Sequence, residues 1–186
     1  MVTKIQIISM FSLMLAIFPW CSGDDDDYYC KGDGVSKKTK IDNLITFYPI
    51  QSIYEKGDTI TYKVIVPSNN TYFGEEMDLF EKTNAYRTLT LYFNYSLLLG
   101  NEIVYSYPEF SPEGYFDALT YDSTNNVYRL EIRIKLLRTG SYHINSRAEI
   151  RFIGIGNCND YTINTNVQGW DFDTAKIEFE VKELEE

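Results

Sequence analysis

Apolar and polar residues alternate with period two through most of the chain after about residue 41. Ile60, Tyr62, Val64 and Val66 alternate with Thr59, Thr61, Lys63 and Ile65. Turn-forming clusters bound this run, Glu55-Lys56-Gly57-Asp58 before it and Pro67-Ser68-Asn69-Asn70 after it, so it predicts a strand over 59–66. A longer alternation covers 87–99. Leu89, Leu91, Phe93, Tyr95 and Leu97 take one face, Thr88, Thr90, Tyr92, Asn94 and Ser96 the other, and Gly100-Asn101 closes it. Shorter strands are predicted over 102–107, stopped by Pro108, and over 116–121, ahead of the turn at Asp122-Ser123-Thr124-Asn125-Asn126. Tyr128, Leu130, Ile132, Ile134 and Leu136 then alternate with Arg129, Glu131, Arg133 and Lys135. Arg138-Thr139-Gly140 is expected to turn the chain. Tyr142, Ile144, Ser146, Ala148, Ile150 and Phe152 resume the alternation against His143, Asn145, Arg147, Glu149 and Arg151. The two runs together predict an antiparallel hairpin with one face on a core. Ile177, Phe179 and Val181, between Lys176, Glu178, Glu180 and Lys182, predict the last strand.

Between these runs the pattern breaks. Residues 74–83 are polar and acidic, with Met77, Leu79 and Phe80 as the large apolar residues, and predict a loop with at most one or two helical turns. Residues 107–116, rich in aromatics, Pro and Gly, predict a long surface loop. Gly154, Gly156 and Asn157 are expected to open a second long loop, which carries Trp170. About seven short strands, separated by turn signals and without a long helical period, predict an all-β fold: an antiparallel β-sandwich, immunoglobulin-like, over residues 41–186. The Cys…Trp…Cys spacing of antibody domains is absent, so the expectation concerns architecture alone. No internal repeat stands out.

The N-terminus follows another rule. Residues 5–18 are almost continuously apolar, interrupted by Gln6, Ser9 and Ser12, with Lys4 before them and Pro19 after. That length suits the apolar region of a signal peptide and is short of the ~20 residues of a membrane-spanning helix. Residues 1–20 are therefore expected to be a signal peptide and residues 21–40 an acidic tether. Overall composition is ordinary for a globular chain, with 44% hydrophobic and 24% charged residues. Two features stand out, 16 Tyr against 2 Trp and a net charge of −10. So acidic a surface repels nucleic-acid phosphates and anionic lipid alike, which argues against nucleic acid as a partner.

The apolar run ends in Cys21-Ser22-Gly23-Asp24-Asp25-Asp26-Asp27. This stretch resembles the lipidation site and adjoining acidic export signal of surface lipoproteins of Bacteroidetes-type bacteria. The resemblance implies that Cys21 becomes the lipid-bearing N-terminus, with fatty acyl chains such as palmitate holding the protein to a membrane. It also implies that Ser22, Asp24, Asp25, Asp26 and Asp27 route it to the outer face of the outer membrane. Trp20 stands where that family has a small residue. Cleavage after Gly23 is the competing outcome and would give a periplasmic or secreted protein. With Cys21 taken by lipid, Cys30 and Cys158 are left as an even pair. In an exported protein they would form a disulfide that constrains the unfolded chain by roughly 3–5 kcal/mol, or else remain two thiols. Asp58-Thr59-Ile60, Asp122-Ser123-Thr124 and Asp173-Thr174-Ala175 each resemble the three-residue O-glycosylation motif of exported proteins from the same bacteria, with Thr59, Ser123 and Thr174 as acceptors.

Catalytic chemistry is thinly represented. The sole histidine, His143, falls on the polar face of its strand, and no nucleophile motif of the Gly-x-Ser-x-Gly kind accompanies it. Glu75, Glu76, Asp78, Glu109, Glu113, Asp171 and Asp173 are plentiful carboxylates, yet nothing in their spacing sets two of them across a groove as glycoside hydrolysis needs. A loop calcium held by Asp171 and Asp173 is a weak alternative. Two cysteines and one histidine lack metal-ligand spacing, so no metal or cofactor is expected. Tyr105, Tyr107, Phe110, Tyr115, Phe116 and Trp170 are candidates for an aromatic platform under a sugar ring, against the alternative that tyrosine is simply a good strand residue. Among them Trp170, Tyr107 and Tyr115 are the expected ligand contacts. The sequence thus points to a non-enzymatic cell-surface lipoprotein that displays its sandwich for protein or glycan contact. A carbohydrate-binding accessory module of a polysaccharide uptake system is the alternative, and a hydrolase using loop carboxylates comes third.

Overall fold

The computed structural model describes residues 33–91 (89–91 by backbone alone), 97, 100–107, 118–171, 173 and 176–183. Its strands are β1 (Ser36–Lys40), β2 (Ile45–Tyr48), β3 (Ile53–Glu55), β4 (Thr59–Pro67), β5 (Asn69–Asn70), β6 (Met77–Asp78), β7 (Leu89–Leu91), β8 (Glu102–Tyr107), β9 (Thr120–Asp122), β10 (Val127–Lys135), β11 (Gly140–Asn145), β12 (Arg147–Ile153), β13 (Asp160–Asn166) and β14 (Lys176–Lys182). A short helix, α1 (Leu79–Thr83), follows β6. The fold is all-β and sandwich-like, with more strands than the seven expected: β3, β5 and β6 are too short to leave an alternation in the sequence, β1, β2 and β13 are not among the predicted strands, and one predicted strand is divided into β11 and β12.

β4 and β10 form the centre of one layer. They pair antiparallel from Val127↔Pro67 to Lys135↔Thr59. Every second residue is buried, Ile60, Tyr62, Val64 and Val66 on β4 and Tyr128, Leu130, Ile132 and Ile134 on β10. β2 lies outside β4, and β8 and β9 lie outside β10. The facing layer has two sheets, ordered β1-β13-β12-β7 and β11-β14-β3. Side chains from both layers meet in one core. Tyr128 of β10 meets Phe152 of β12 edge to face at 4.8 Å, and Phe47 of β2 lies 6.2 Å from Phe179 of β14. Burying each such large apolar side chain favours folding by about 1.5–3 kcal/mol. The layers are also joined along their edges. Ile45 bridges to Val167 on one side and Arg87 to Thr120 on the other.

Several sequence expectations need correction. The predicted hairpin does not form, since β10 pairs with β4, β8 and β9 while β11 pairs with β14. The predicted strand over 142–152 is divided at the buried Ser146. Its first part joins the β14 sheet and its second part, β12, joins β13 and β7. The alternation was sound, with Ile144, Ala148, Ile150 and Phe152 all buried. Period two reports which side chains face inward and carries no information on which neighbour shares the hydrogen bonds. Of the strand predicted over 87–99, residues 89–91 are extended, but Leu97 is helical and fully buried; 92–96 and 98–99 lie outside the described residues.

Two strands of five or more residues also escaped the pattern. β13 lies within the stretch expected to be a long loop. It is covered on both faces, so polar residues are buried along with Tyr161 and Ile163. Those polar groups are used: Leu44 N donates to Thr165 Oγ1 at 3.2 Å and Asn43 N to Asn166 Oδ1 at 2.7 Å. β1 lies inside the stretch assigned to the tether, so residues Ser36–Lys40 already belong to the sheet. It runs parallel to β13, from Ser36↔Asp160 to Lys40↔Asn164, and its residues, Ser-Lys-Lys-Thr-Lys, have no apolar face to read. Lysines on such an edge discourage pairing with foreign strands. Just before it, Gly34 presses on the chain at Cys158, where a Cβ would sit 1.8 Å from the carbonyl oxygen.

Candidate functional site

The site begins at the turn into α1. Asp78 precedes the helix and its carboxylate accepts from Glu81 N at 3.0 Å and from Ser68 Oγ at 2.7 Å. Phe80 N donates to Ser68 Oγ at 2.9 Å, which fixes the start of the helix and the root of the Phe80 side chain. The Phe80 ring lies parallel to that of Tyr121, on β9, at 4.1 Å. Tyr86 meets Phe80 edge to face at 5.0 Å. Tyr121 in turn leans on the buried Tyr128 at 5.2 Å. The rings thus run from the core outward to Tyr86, which is 62% exposed. Hydrogen bonds hold Tyr121 and Tyr128. Tyr121 Oη donates to Asn126 Oδ1 at 2.7 Å, Asn126 Nδ2 to Asp78 Oδ2 at 3.3 Å, and Tyr128 Oη to Ala85 O at 2.8 Å.

Tyr107 adjoins this cluster across β9, its hydroxyl donating to Tyr121 O at 3.3 Å. The Arg129 guanidinium covers its ring at 3.7 Å, an arrangement favoured by the ring's negative face. Arg129 Nη2 also pairs with Asp122 Oδ2 at 3.0 Å. Asp122 closes the β9–β10 turn, accepting from Asn125 Nδ2 at 2.8 Å and from the backbone N–H groups of Thr124 and Asn125.

These contacts set the protonation states. The side-chain bond from Asn125 is the largest influence on Asp122; burial opposes it, and the backbone N–H groups and the Arg129 charge add to it, leaving the carboxyl below the ordinary range. Burial pushes Asp78 up, but the bonds from Glu81, Ser68, Asn126 and Phe80 outweigh it and its net shift is downward. Burial raises the Tyr121 hydroxyl, helped by the charges of Asp78 and Asp122. Burial drives Tyr128 strongly upward. Both carboxylates are therefore ionised in neutral solution and occupied as acceptors, which suits holding a turn and a helix start rather than donating a proton. The outer aromatic surface can do something else: a partly exposed ring stack beside polar groups favours the apolar face of a sugar ring or an aromatic or aliphatic side chain of a protein.

The predicted site residues fall as follows. Cys21, Ser22, Asp24, Asp25, Asp26, Asp27 and Cys30 lie outside the described residues, as do Tyr115, Thr174, Glu109 and Glu113. Tyr107 is half-buried, with one ring face taken by Arg129. Trp170 is half-buried and packs on the core. Its N–H donates to Val167 O at 3.0 Å and its carbonyl accepts from Asn166 Nδ2, so it supports the β2–β13 edge and takes no part in the Tyr86 cluster. Cys158 is half-buried between β12 and β13, with φ 57. Thr59 and Ser123 are both exposed, Ser123 in the β9–β10 turn. His143 is half-buried opposite Glu178, Glu75 pairs with Lys37 at 2.6 Å, and Asp171 and Asp173 are exposed.

Phe80, Tyr86 and Tyr121 were not singled out in the sequence. Each sits in a different segment, and their one common signal is the abundance of aromatics. Among the described residues, no group of three or more His, Cys, Asp or Glu is arranged to hold a metal ion, and no helix is long and apolar enough to cross a membrane. The site and fold define an all-β, sandwich-like protein with a partly exposed aromatic cluster around Phe80, Tyr86 and Tyr121. No protein-family model matches the chain, and neither a curated protein nor a solved structure does.

Proposed function

We propose that this is a non-enzymatic, exported surface protein, held to the outer membrane by lipid at Cys21 and routed outward by Ser22 and Asp24–Asp27. Its immunoglobulin-like domain presents the Tyr86–Phe80–Tyr121 surface to a protein or glycan partner. The aromatic cluster carries the contact half of this proposal, since it leaves Tyr86 62% exposed on a stack braced from the core. The address half rests on the sequence around Cys21. The glycan alternative, an accessory module that captures polysaccharide for uptake, draws on the same rings, because flat partly exposed aromatics suit pyranose faces.

In this proposal Cys30 and Cys158 pair when a disulfide-exchange oxidant of the exporting compartment removes two electrons and two protons. The parallel register supports this by bringing Gly34, four residues after Cys30, against Cys158. Thr59 and Ser123, both exposed, are the O-glycan acceptors it favours among the described residues.

A glycan array probed with the wild-type protein and with Tyr86→Ala tests the contact half. Binding that is lost in the variant supports the glycan reading. Equal binding of both places the contact elsewhere, and no binding turns the search to protein partners. Membrane fractionation of Cys21→Ala tests the anchor, and a variant that stays with the membrane sinks it.

A further inference from the structure

β1 is held differently from the strands that pack the core. None of its five side chains is buried, and among the described residues it pairs on one side, with β13. Backbone bonds extend the ladder at both ends, Asp160 N donating to Val35 O at 2.8 Å and Ile41 N to Asn164 O at 2.9 Å. Two ion pairs reinforce it: Lys37 Nζ to Glu75 Oε1 at 2.6 Å, and Lys38 Nζ to Glu149 Oε2, on β12, at 2.7 Å. Thr39 Oγ1 donates to Tyr72 O at 2.9 Å. Pairs as exposed as these are individually weak and screened by salt. A strand without apolar burial opens at lower free energy than the core it borders. Only residues 41–44 connect β1 to β2, and there the chain changes layers with Asn43 in the left-handed region at φ 66. Short hinges favour exchange of a strand between copies.

We infer that β1 is an exchangeable strand, and that the edge of β13 it covers accepts β1 from a second copy of this chain. The edge selects that occupant by its chemistry. Glu75 and Glu149 require cations at the two positions filled by Lys37 and Lys38, and the close approach at Cys158 requires a glycine three residues before the first of them. β1 and its lead-in meet all three demands. Reciprocal exchange remakes the ladder and the ion pairs and opens the hinge over 41–44, where Asn43 N and Leu44 N bond to Asn166 and Thr165 of β13; it is open to protein in which Cys30 is not joined to Cys158 of its own chain.

A pair of charge-reversed proteins, kept reduced so that Cys30 and Cys158 stay unpaired, tests this. Lys37→Glu/Lys38→Glu and Glu75→Lys/Glu149→Lys each set like charges together within one chain, and amide exchange at 36–41 should quicken several-fold in either one alone. Mixed in equal amounts, each β1 finds opposite charges only on the other copy. Size-exclusion chromatography with light scattering should then show a one-to-one dimer, with protection at 36–41 restored. A mixture that stays monomeric overturns the inference. The wild-type protein gives a second measurement that does not depend on the variants folding. Its amides at 36–41 should exchange faster than those at 147–153, and faster still on going from low salt to about 0.5 M. Equal and salt-independent protection of the two strands also overturns it.

Discussion

Two aromatic clusters are built on the same core and end differently. In one, Phe179 of β14 meets Tyr54 edge to face at 5.0 Å and stacks with Tyr142 at 5.6 Å. Tyr54 is 1% exposed, and its hydroxyl donates to Pro49 O at 2.5 Å and accepts from Gln51 N at 3.1 Å. In the other, Phe80 joins Tyr121 to Tyr86, and the last ring stands mostly in solvent. The first cluster draws on β3, β11 and β14 of one layer, and Phe47 on β2 of the other layer packs against it. The second sits at a sheet end, on a short helix, a three-residue strand and the segment after α1, where no layer covers the outermost ring. Aromatic content alone therefore does not separate packing from display. Position within the layers does.

Substitutions sharpen this contrast. Phe179→Ala should cost about 3–5 kcal/mol by urea unfolding, as expected for emptying a large buried site. A loss under about 1 kcal/mol would remove the distinction between the clusters. Asp78→Ala should cost about 1 kcal/mol through the lost helix cap and change the near-ultraviolet circular dichroism of the Phe80–Tyr121 stack. The same residue predicts a pH effect. Because Asp78 and Asp122 are held below the ordinary carboxylate range when folded, they add stability above pH ~4 that is lost as pH falls through their lowered values. The urea midpoint should fall on acidification from about pH 5 to pH 2, and less steeply in Asp78→Asn/Asp122→Asn. Tyr54→Phe, which removes a hydroxyl and keeps the ring, should cost about 1 kcal/mol. Tyr86→Ala should change stability by no more than about 0.5 kcal/mol. A larger loss would mean that the exposed ring braces the fold and is not free for display.

Much of the fold could be read from individual residues. Ile60 to Val66 and Tyr128 to Ile134 announced β4 and β10 because a strand with one covered face must alternate. Thr165 and Asn166 hid β13, since polar side chains satisfied by neighbouring backbone can be buried on either face. β1 was hidden for the opposite reason, having no face in the core. The candidate site was less legible. Tyr107 was foreseen near an aromatic surface, but Trp170 belongs to the packing of another edge, and the cluster's own members are brought together across long stretches of chain.

The sequence by itself determined the all-β class, the inward-facing residues of the long strands and many of the turns, because alternation and turn chemistry are local properties. Tertiary structure decided which strands share a sheet, that one alternating run crosses between two sheets at Ser146, and which tyrosines are covered. Those outcomes depend on hydrogen-bond partners and opposing layers supplied by distant residues. A local pattern holds no record of them.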